Sequence, residues 1–196
     1  MTKLLLASGS SRRQELLEQI GVKYHSASMD IDESVLLDES PNDYVNRLAR
    51  EKAIAGVETE PASVVLAADT TVVAEGDILG KPENEQAAYD MLKQLSGATH
   101  QVLTGIAVAQ RVDEGIMLES DVVVTDVAFL SLSDKQIEHY VRTGEPMDKA
   151  GAYGIQGKAA LFVDGIKGSY SNVVGLPLAE TGAMLQRFGI SVWDSE

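Results

Sequence analysis

Residues 3–21, KLLLASGSSRRQELLEQIG, carry an apolar run, a Ser/Gly turn and an amphipathic run in unbroken succession. Leu4 to Ala7 read as a short buried strand. From about Ser11 the apolar residues Leu16, Leu17 and Ile20 fall on one helical side, and Gly21 is the stop. A strand that feeds a helix through so short a turn opens an α/β fold. The turn itself, Ser8-Gly9-Ser10-Ser11-Arg12-Arg13, gathers two cations where the helix begins. A helix start leaves N–H groups unpaired and carries partial positive charge, so it readily holds an anion. Gly9 lets the backbone approach closely, Ser8 and Ser10 add hydroxyl donors, and Arg12 can grip phosphate oxygens bidentately. An ordinary strand–helix turn with two solvated arginines accounts for the same spacing equally well. The Walker pattern is absent.

These arginines stand out because the chain is acidic. Its 196 residues carry 16 Lys and Arg against 30 Asp and Glu, a formal net charge of -14. Such a surface repels nucleic-acid backbone and anionic membrane, so neither is expected as a partner. Apolar residues make up 44%, enough for one domain spanning 1–196, or one domain folded as two lobes around a cleft. Without cysteine there is no disulfide and no thiolate metal site. Leu4–Ala7 is shorter than the ~7–15 residues of a signal-peptide core, and nothing approaches the ~20 apolar residues of a membrane span. The expectation is a soluble cytoplasmic protein.

Further along, 22–29 suggest a second strand and 30–39 an acidic irregular stretch. SPNDYVNRLAREKAIAG (40–56) predicts a helix with Ser40 as N-cap, Pro41 in the first position and Asp43 at the capping-box position. SVVLAADTTVVAEGDILG (63–80) reads as strand, polar interruption, strand, a turn at Gly76-Asp77 and a short strand. A helix follows over 84–97, then a long antiparallel pair around 100–132. Ser133 and Gln136 cap a helix ending near Gly144. A strand near 160–164 and a helix from about Pro177 to Phe188 close the chain. Together these elements predict a mixed sheet with helices on its faces.

Several polar residues sit where packing alone would not put them. Lys52 falls on the apolar side of the 41–55 helix, with Val45, Leu48 and Ala49; a lysine aimed inward needs a partner, unless it snorkels past the helix end. Asp69 interrupts an apolar strand and is followed by Thr70 and Thr71, which makes it either a turn-former or a group held on a rigid element. Lys81, after a tight turn, is placed to fold back beside Asp69. Glu33 offers a second carboxylate, and two carboxylates plus phosphate oxygens suit Mg²⁺. GEPMDKAGAYGIQG (144–157) is a glycine-rich polar loop with Asp148, Lys149 and Gln156, whose amide can read a base edge; a hairpin loop needing positive φ is the plainer reading. His25, His100 and His139 lack zinc-ligand spacing, and no nucleophile elbow appears. The remaining set suits metal-assisted attack of water on a phosphate.

At this point seven ordered blocks, ASGSSRR, RLAREKA, AADTTV, LGKP, LSGATHQVLTG, GEPMDKAGAYGIQG and GSYSNVVGLPL, resemble the signatures of the Maf-like nucleotide pyrophosphatases, from residue 6 to about 180. One departure is Ser11, where that family often has proline; a helix start accepts either. The resemblance implies an elongated α/β molecule similar to the inosine triphosphate pyrophosphatases, with a long mixed sheet and a cleft between two lobes. It implies hydrolysis of a nucleoside triphosphate to monophosphate and pyrophosphate with Mg²⁺ or Mn²⁺. It also implies Asp69 as catalytic residue and metal ligand, Glu33 as metal ligand, and Ser8, Ser10, Arg12, Arg13, Lys52 and Lys81 as substrate-binding residues. Arg12, Thr70 and Gln156 match the specificity positions, and AGAYGIQG is similar to the branch acting on dTTP and UTP rather than on 7-methyl-GTP. A nucleotide-binding regulator of septum formation would use the same cradle without turnover. The sequence leaves the oligomeric state open, a homodimer included.

Overall fold

The computed structural model describes residues 3–113 and 115–193. A seven-stranded mixed sheet runs through the chain and is flanked by helices. Its buried starting strand is β1 (Leu4–Leu6), three leucines with almost no exposed surface. A three-residue strand can sit inside a sheet only if both of its edges are paired. Accordingly β1 is parallel to β2 (His25–Ser26) on one side and to β3 (Val64–Ala74) on the other. Parallel neighbours need crossovers, and α1 (Ser11–Gln19) and α2 (Pro41–Thr59) provide them.

β3 pairs antiparallel with β4 (Asp77–Leu79), Val72 opposite Leu79. The turn between them is Glu75-Gly76, both at positive φ (53° and 92°), one residue earlier than the sequence suggested. Positive φ at both central residues is the type I′ turn that matches strand twist. α3 (Glu85–Leu95) leads to the long neighbours β5 (Thr99–Val112) and β6 (Gly115–Phe129). α4 (Asp134–Val141) starts at the expected Ser133–Gln136 capping box. β7 (Val163–Lys167) is antiparallel to β6, and α5 (Tyr170–Val174) and α6 (Leu178–Arg187) complete the order. The sheet order is β2-β1-β3-β5-β6-β7, with β4 on β3.

Three local expectations shift. The strand expected over 22–29 contracts to two residues. The strand expected near 160–164 lies at Val163–Lys167, since Lys158–Phe162 form a 3₁₀ turn whose Phe162 packs into an aromatic cluster with Phe129 and Tyr140. β3 is not interrupted at Asp69-Thr70: ladder hydrogen bonds use only backbone, so a carboxylate can stay in the strand if its side chain finds a partner.

The chain forms two compact units. One holds residues up to Asp69, Thr104–Val123 and the chain from Gly175; the other holds Thr70–Leu103 and Val124–Val174. The first is centred on Leu5, Val65 and Ala67 of the sheet and Ala7 just after β1, packed with Ala49, Ala53 and Val57 of α2. Small residues let the helix come close. A Cβ on Gly105 of β5 would stand 2.2 Å from the carbonyl oxygen of Val45, so only glycine permits that approach. The second unit holds an edge-to-face cluster of His100, Phe129, Tyr153, Phe162 and Tyr140. Among the described residues no helix is long and apolar enough to cross a membrane.

Candidate active site

The first unit carries the cationic turn. Ser10 is the N-cap of α1 but makes no side-chain cap bond, and the first turn contains no acidic residue. Its leading N–H groups have no intrahelical acceptor, and the first turn itself supplies no carboxylate to them. Arg13 is braced from both sides: its Nε donates to the carbonyl of Gly175 (2.8 Å) and its Nη1 to the Ser8 hydroxyl (3.0 Å). Ser8, itself buried, also accepts from the Ser10 amide at 3.2 Å. Both lone pairs of that hydroxyl are used, so its proton remains for an outside acceptor. Burial lowers the Arg13 pKa from its ordinary value, Asp69 opposes that, Arg12 adds to it and Glu33 opposes it. Arg12 is half-buried and makes no ion pair among the described residues.

Lys52 turns inward from α2 and is 8% exposed. The close packing of α2 on the sheet directs its four-carbon stem toward β3. There its Nζ donates to Asp69 Oδ1 at 2.7 Å and lies 2.6 Å from Glu33 Oε1. One ammonium thus gathers two carboxylates that are 36 residues apart in sequence. The concentration of negative charge is felt nearby. The Tyr44 hydroxyl is pushed up to about 12 by burial first, then by Asp69 and Glu33.

Glu33 sits on an irregular segment, and α2 ties that segment down. Arg47 grips both carboxylate oxygens of Glu39, at 2.6 and 2.8 Å, and donates to the Ser34 carbonyl at 2.9 Å. Tyr44 donates its hydroxyl proton to the carbonyl of Glu33 itself at 3.0 Å. The planar guanidinium is suited to this bidentate grip. Nothing in the sequence reading singled out Arg47 for this role. The available signal was the strongly acidic 30–39 stretch immediately before a helix with an arginine in its second turn.

Whether this site suits a divalent cation follows from its donors. Among the described residues no three His, Asp or Glu side chains form a ready-made metal cluster. Two carboxylates drawn to one point are nonetheless a fitting partial set for Mg²⁺, which uses one or two protein carboxylates and completes its shell with water and phosphate oxygens. A triphosphate brought beside Glu33 and Asp69 also needs an intervening cation, because like charges repel.

Thr70, Lys81 and Gln156 belong to the second unit. Thr70 is half-buried on β3. Lys81 is exposed and makes no ion pair among the described residues; the ammonium on Asp69 is that of Lys52. Gln156 is exposed in a turn closed by Gly157 N–H donating to the Gly154 carbonyl at 3.0 Å. Its loop is not a simple hairpin. It folds as successive 3₁₀ turns over Glu145–Asp148 and Ala150–Ala152, with Gly151 and Ala152 both left-handed (φ 66° and 58°). Lys149 is spent inside the loop on the Glu145 carbonyl (2.8 Å) and Asp148 (2.6 Å).

Residues 3–188 match the family model described as Maf-like protein. The chain is 53% identical over 194 residues to the dTTP/UTP pyrophosphatase of Anaeromyxobacter dehalogenans (strain 2CP-C), covering 98% of this chain and 97% of the relative. It is 50% identical over 194 residues to the dTTP/UTP pyrophosphatase of Hahella chejuensis, covering 97% and 94%. A HAM1 protein from Coxiella burnetii aligns at a TM-score of 0.49 and 16% identity, over 95% of this chain and 100% of that one. The chain belongs to the Maf-like family.

Proposed function

We propose that this Maf-like protein hydrolyses dTTP and UTP to the nucleoside monophosphate and pyrophosphate. The observation that carries the proposal is the Glu33–Lys52–Asp69 constellation beside a cationic helix start. It occurs in a chain 50–53% identical, along nearly its whole length, to proteins named dTTP/UTP pyrophosphatase.

The roles follow from the chemistry of each group. The Ser8 hydroxyl, with its lone pairs occupied, donates its proton to a phosphate oxygen. Ser10 and the N–H groups at the start of α1 add donors, and Arg12, Arg13, Lys52 and Lys81 offset the triphosphate charge. Asp69 takes the proton of the attacking water as the anhydride between the α and β phosphoryl groups breaks and pyrophosphate leaves as an anion. Glu33 and Asp69 would hold Mg²⁺ or Mn²⁺, which supplies Lewis-acid polarisation of a phosphoryl oxygen when bound. Arg12, Thr70 and Gln156 set the base preference. The Gln156 amide offers a donor and an acceptor together, matching the carbonyl and N3–H of uracil and thymine.

The direct test is incubation of the purified protein with Mg²⁺ and a panel of nucleoside triphosphates, with identification of products. Pyrophosphate and monophosphate from dTTP and UTP, with little from purine nucleotides, is the expected result. Turnover of 7-methyl-GTP instead would overturn the base assignment. Binding of dTTP without turnover of any nucleotide would overturn the enzyme and leave a sensor.

A further inference from the structure

Glu145 lies in the second unit, eleven residues before Gln156, and its carboxylate reaches directly to the turn that carries Gln156. A Cβ built on Gly157 would stand 2.2 Å from Glu145 Oε1, so the carboxylate rests against the backbone next to Gln156, and a side chain there would push it away. Glu145 Oε2 accepts the Lys158 amide at 3.2 Å. Glu145 Oε1 accepts the Tyr140 hydroxyl at 3.0 Å, and that hydroxyl accepts the Gly154 amide at 3.3 Å. The turn Gly154–Gly157 is therefore fastened at its first residue through Tyr140 and just beyond its last through Glu145. Burial works against the Glu145 charge, yet the Lys158 amide, the Tyr140 hydroxyl and the Ala159 amide hold its carboxyl below the usual range.

We infer that Glu145 is a positioning residue for base selection. It fixes the backbone on both sides of Gln156 and so sets where the Gln156 amide is presented. This rests on the reading of Gln156 as a base-selecting residue. The arrangement has a physical rationale. An exposed amide on a free turn samples many orientations and discriminates weakly, whereas one on a fixed backbone meets only the complementary edge. A carboxylate serves here because it accepts several hydrogen bonds at once, from an amide on one side and a phenol on the other.

The test compares kcat/KM for dTTP and dGTP at saturating Mg²⁺ in wild type, Glu145→Gln, Tyr140→Phe, Gln156→Ala and the Glu145→Gln/Gln156→Ala double variant. Glu145→Gln is expected to lower the dTTP preference by about tenfold, mainly through KM, and Tyr140→Phe by about threefold. The double variant is expected to lose no more preference than Gln156→Ala alone, because Glu145 acts through that residue. Full preference in Glu145→Gln, or additive losses in the double variant, overturns the inference while leaving the role of Gln156 standing. Undiminished preference in Gln156→Ala overturns the base-selecting role itself, and the inference falls with it. Should Glu145→Gln fail to fold, Tyr140→Phe combined with Gln156→Ala tests the same coupling.

Discussion

Lys52 on α2 and Asp69 on β3 meet through a 2.7 Å hydrogen bond, and this contact joins the helix to the strand that carries the proposed base. Lys52 is buried and its other partner is Glu33, so the ammonium fixes the direction of both carboxylates. Asp69→Asn keeps an oxygen to accept from Lys52 but cannot take a proton. Its kcat on dTTP is expected to fall by at least ~10²-fold with little change in melting temperature. Retained kcat would remove Asp69 from the role of base.

The packing that aims Lys52 is equally exposed to test. Gly105→Ala forces a Cβ against the Val45 carbonyl, and backbone on both sides leaves nothing flexible to yield. We expect a loss of about 2–4 kcal/mol in urea unfolding, with activity falling even where the protein remains folded, since α2 carries Lys52. An unfolding midpoint equal to wild type would show that α2 tolerates displacement.

Arg47 is expected to matter through Glu33. Its partner Glu39 has a side chain only 7% exposed, so the pair is mostly shielded from water. Arg47→Ala should raise amide hydrogen exchange across residues 32–39 and raise the Mg²⁺ concentration needed for half-maximal activity. Arg47→Lys should restore little, because a single ammonium cannot grip both oxygens of Glu39. Unchanged exchange in that segment would refute the clamp.

His100 sets a pH dependence of stability. Burial depresses its pKa to about 4, while in the unfolded chain it titrates near its ordinary 6.5. The folded state thus favours the neutral ring, and its Nε2 lies 2.7 Å from the Tyr153 hydroxyl. Above the unfolded value neither state is charged and nothing is lost. As pH falls from 6.5 toward 4 the unfolded chain takes up a proton that the folded protein refuses, so about 3 kcal/mol of stability is lost across that window. His100→Gln should flatten this part of the curve in urea unfolding measured from pH 7.5 to 4. An equal slope in both proteins would assign the loss to other groups.

Much of this could be read from the residues in order. Leu4–Leu6, the Ser40–Pro41 helix start and the Ser133–Gln136 capping box are local signals, and each appears where its chemistry places it. The inward face of α2 was equally legible, because helical periodicity alone puts Lys52 among Val45, Leu48 and Ala49. Polar residues inside strands were harder. Asp69 reads as a break in the apolar pattern, yet β3 continues through it because Lys52 answers the charge from another element.

The sequence by itself determined the strand–turn–helix opening, the helix caps, the inward lysine and the family, because these rest on short-range periodicity, backbone hydrogen bonding and ordered motifs. Only the tertiary structure decided which carboxylates Lys52 holds, that Arg47 and Tyr44 secure the Glu33 segment, and that Glu145 fastens the turn bearing Gln156. Those pairings join residues far apart in the chain or across a folded loop. Charge and hydrogen-bonding capacity are written in each residue, but partners are chosen only when packing brings them within about 3 Å of one another.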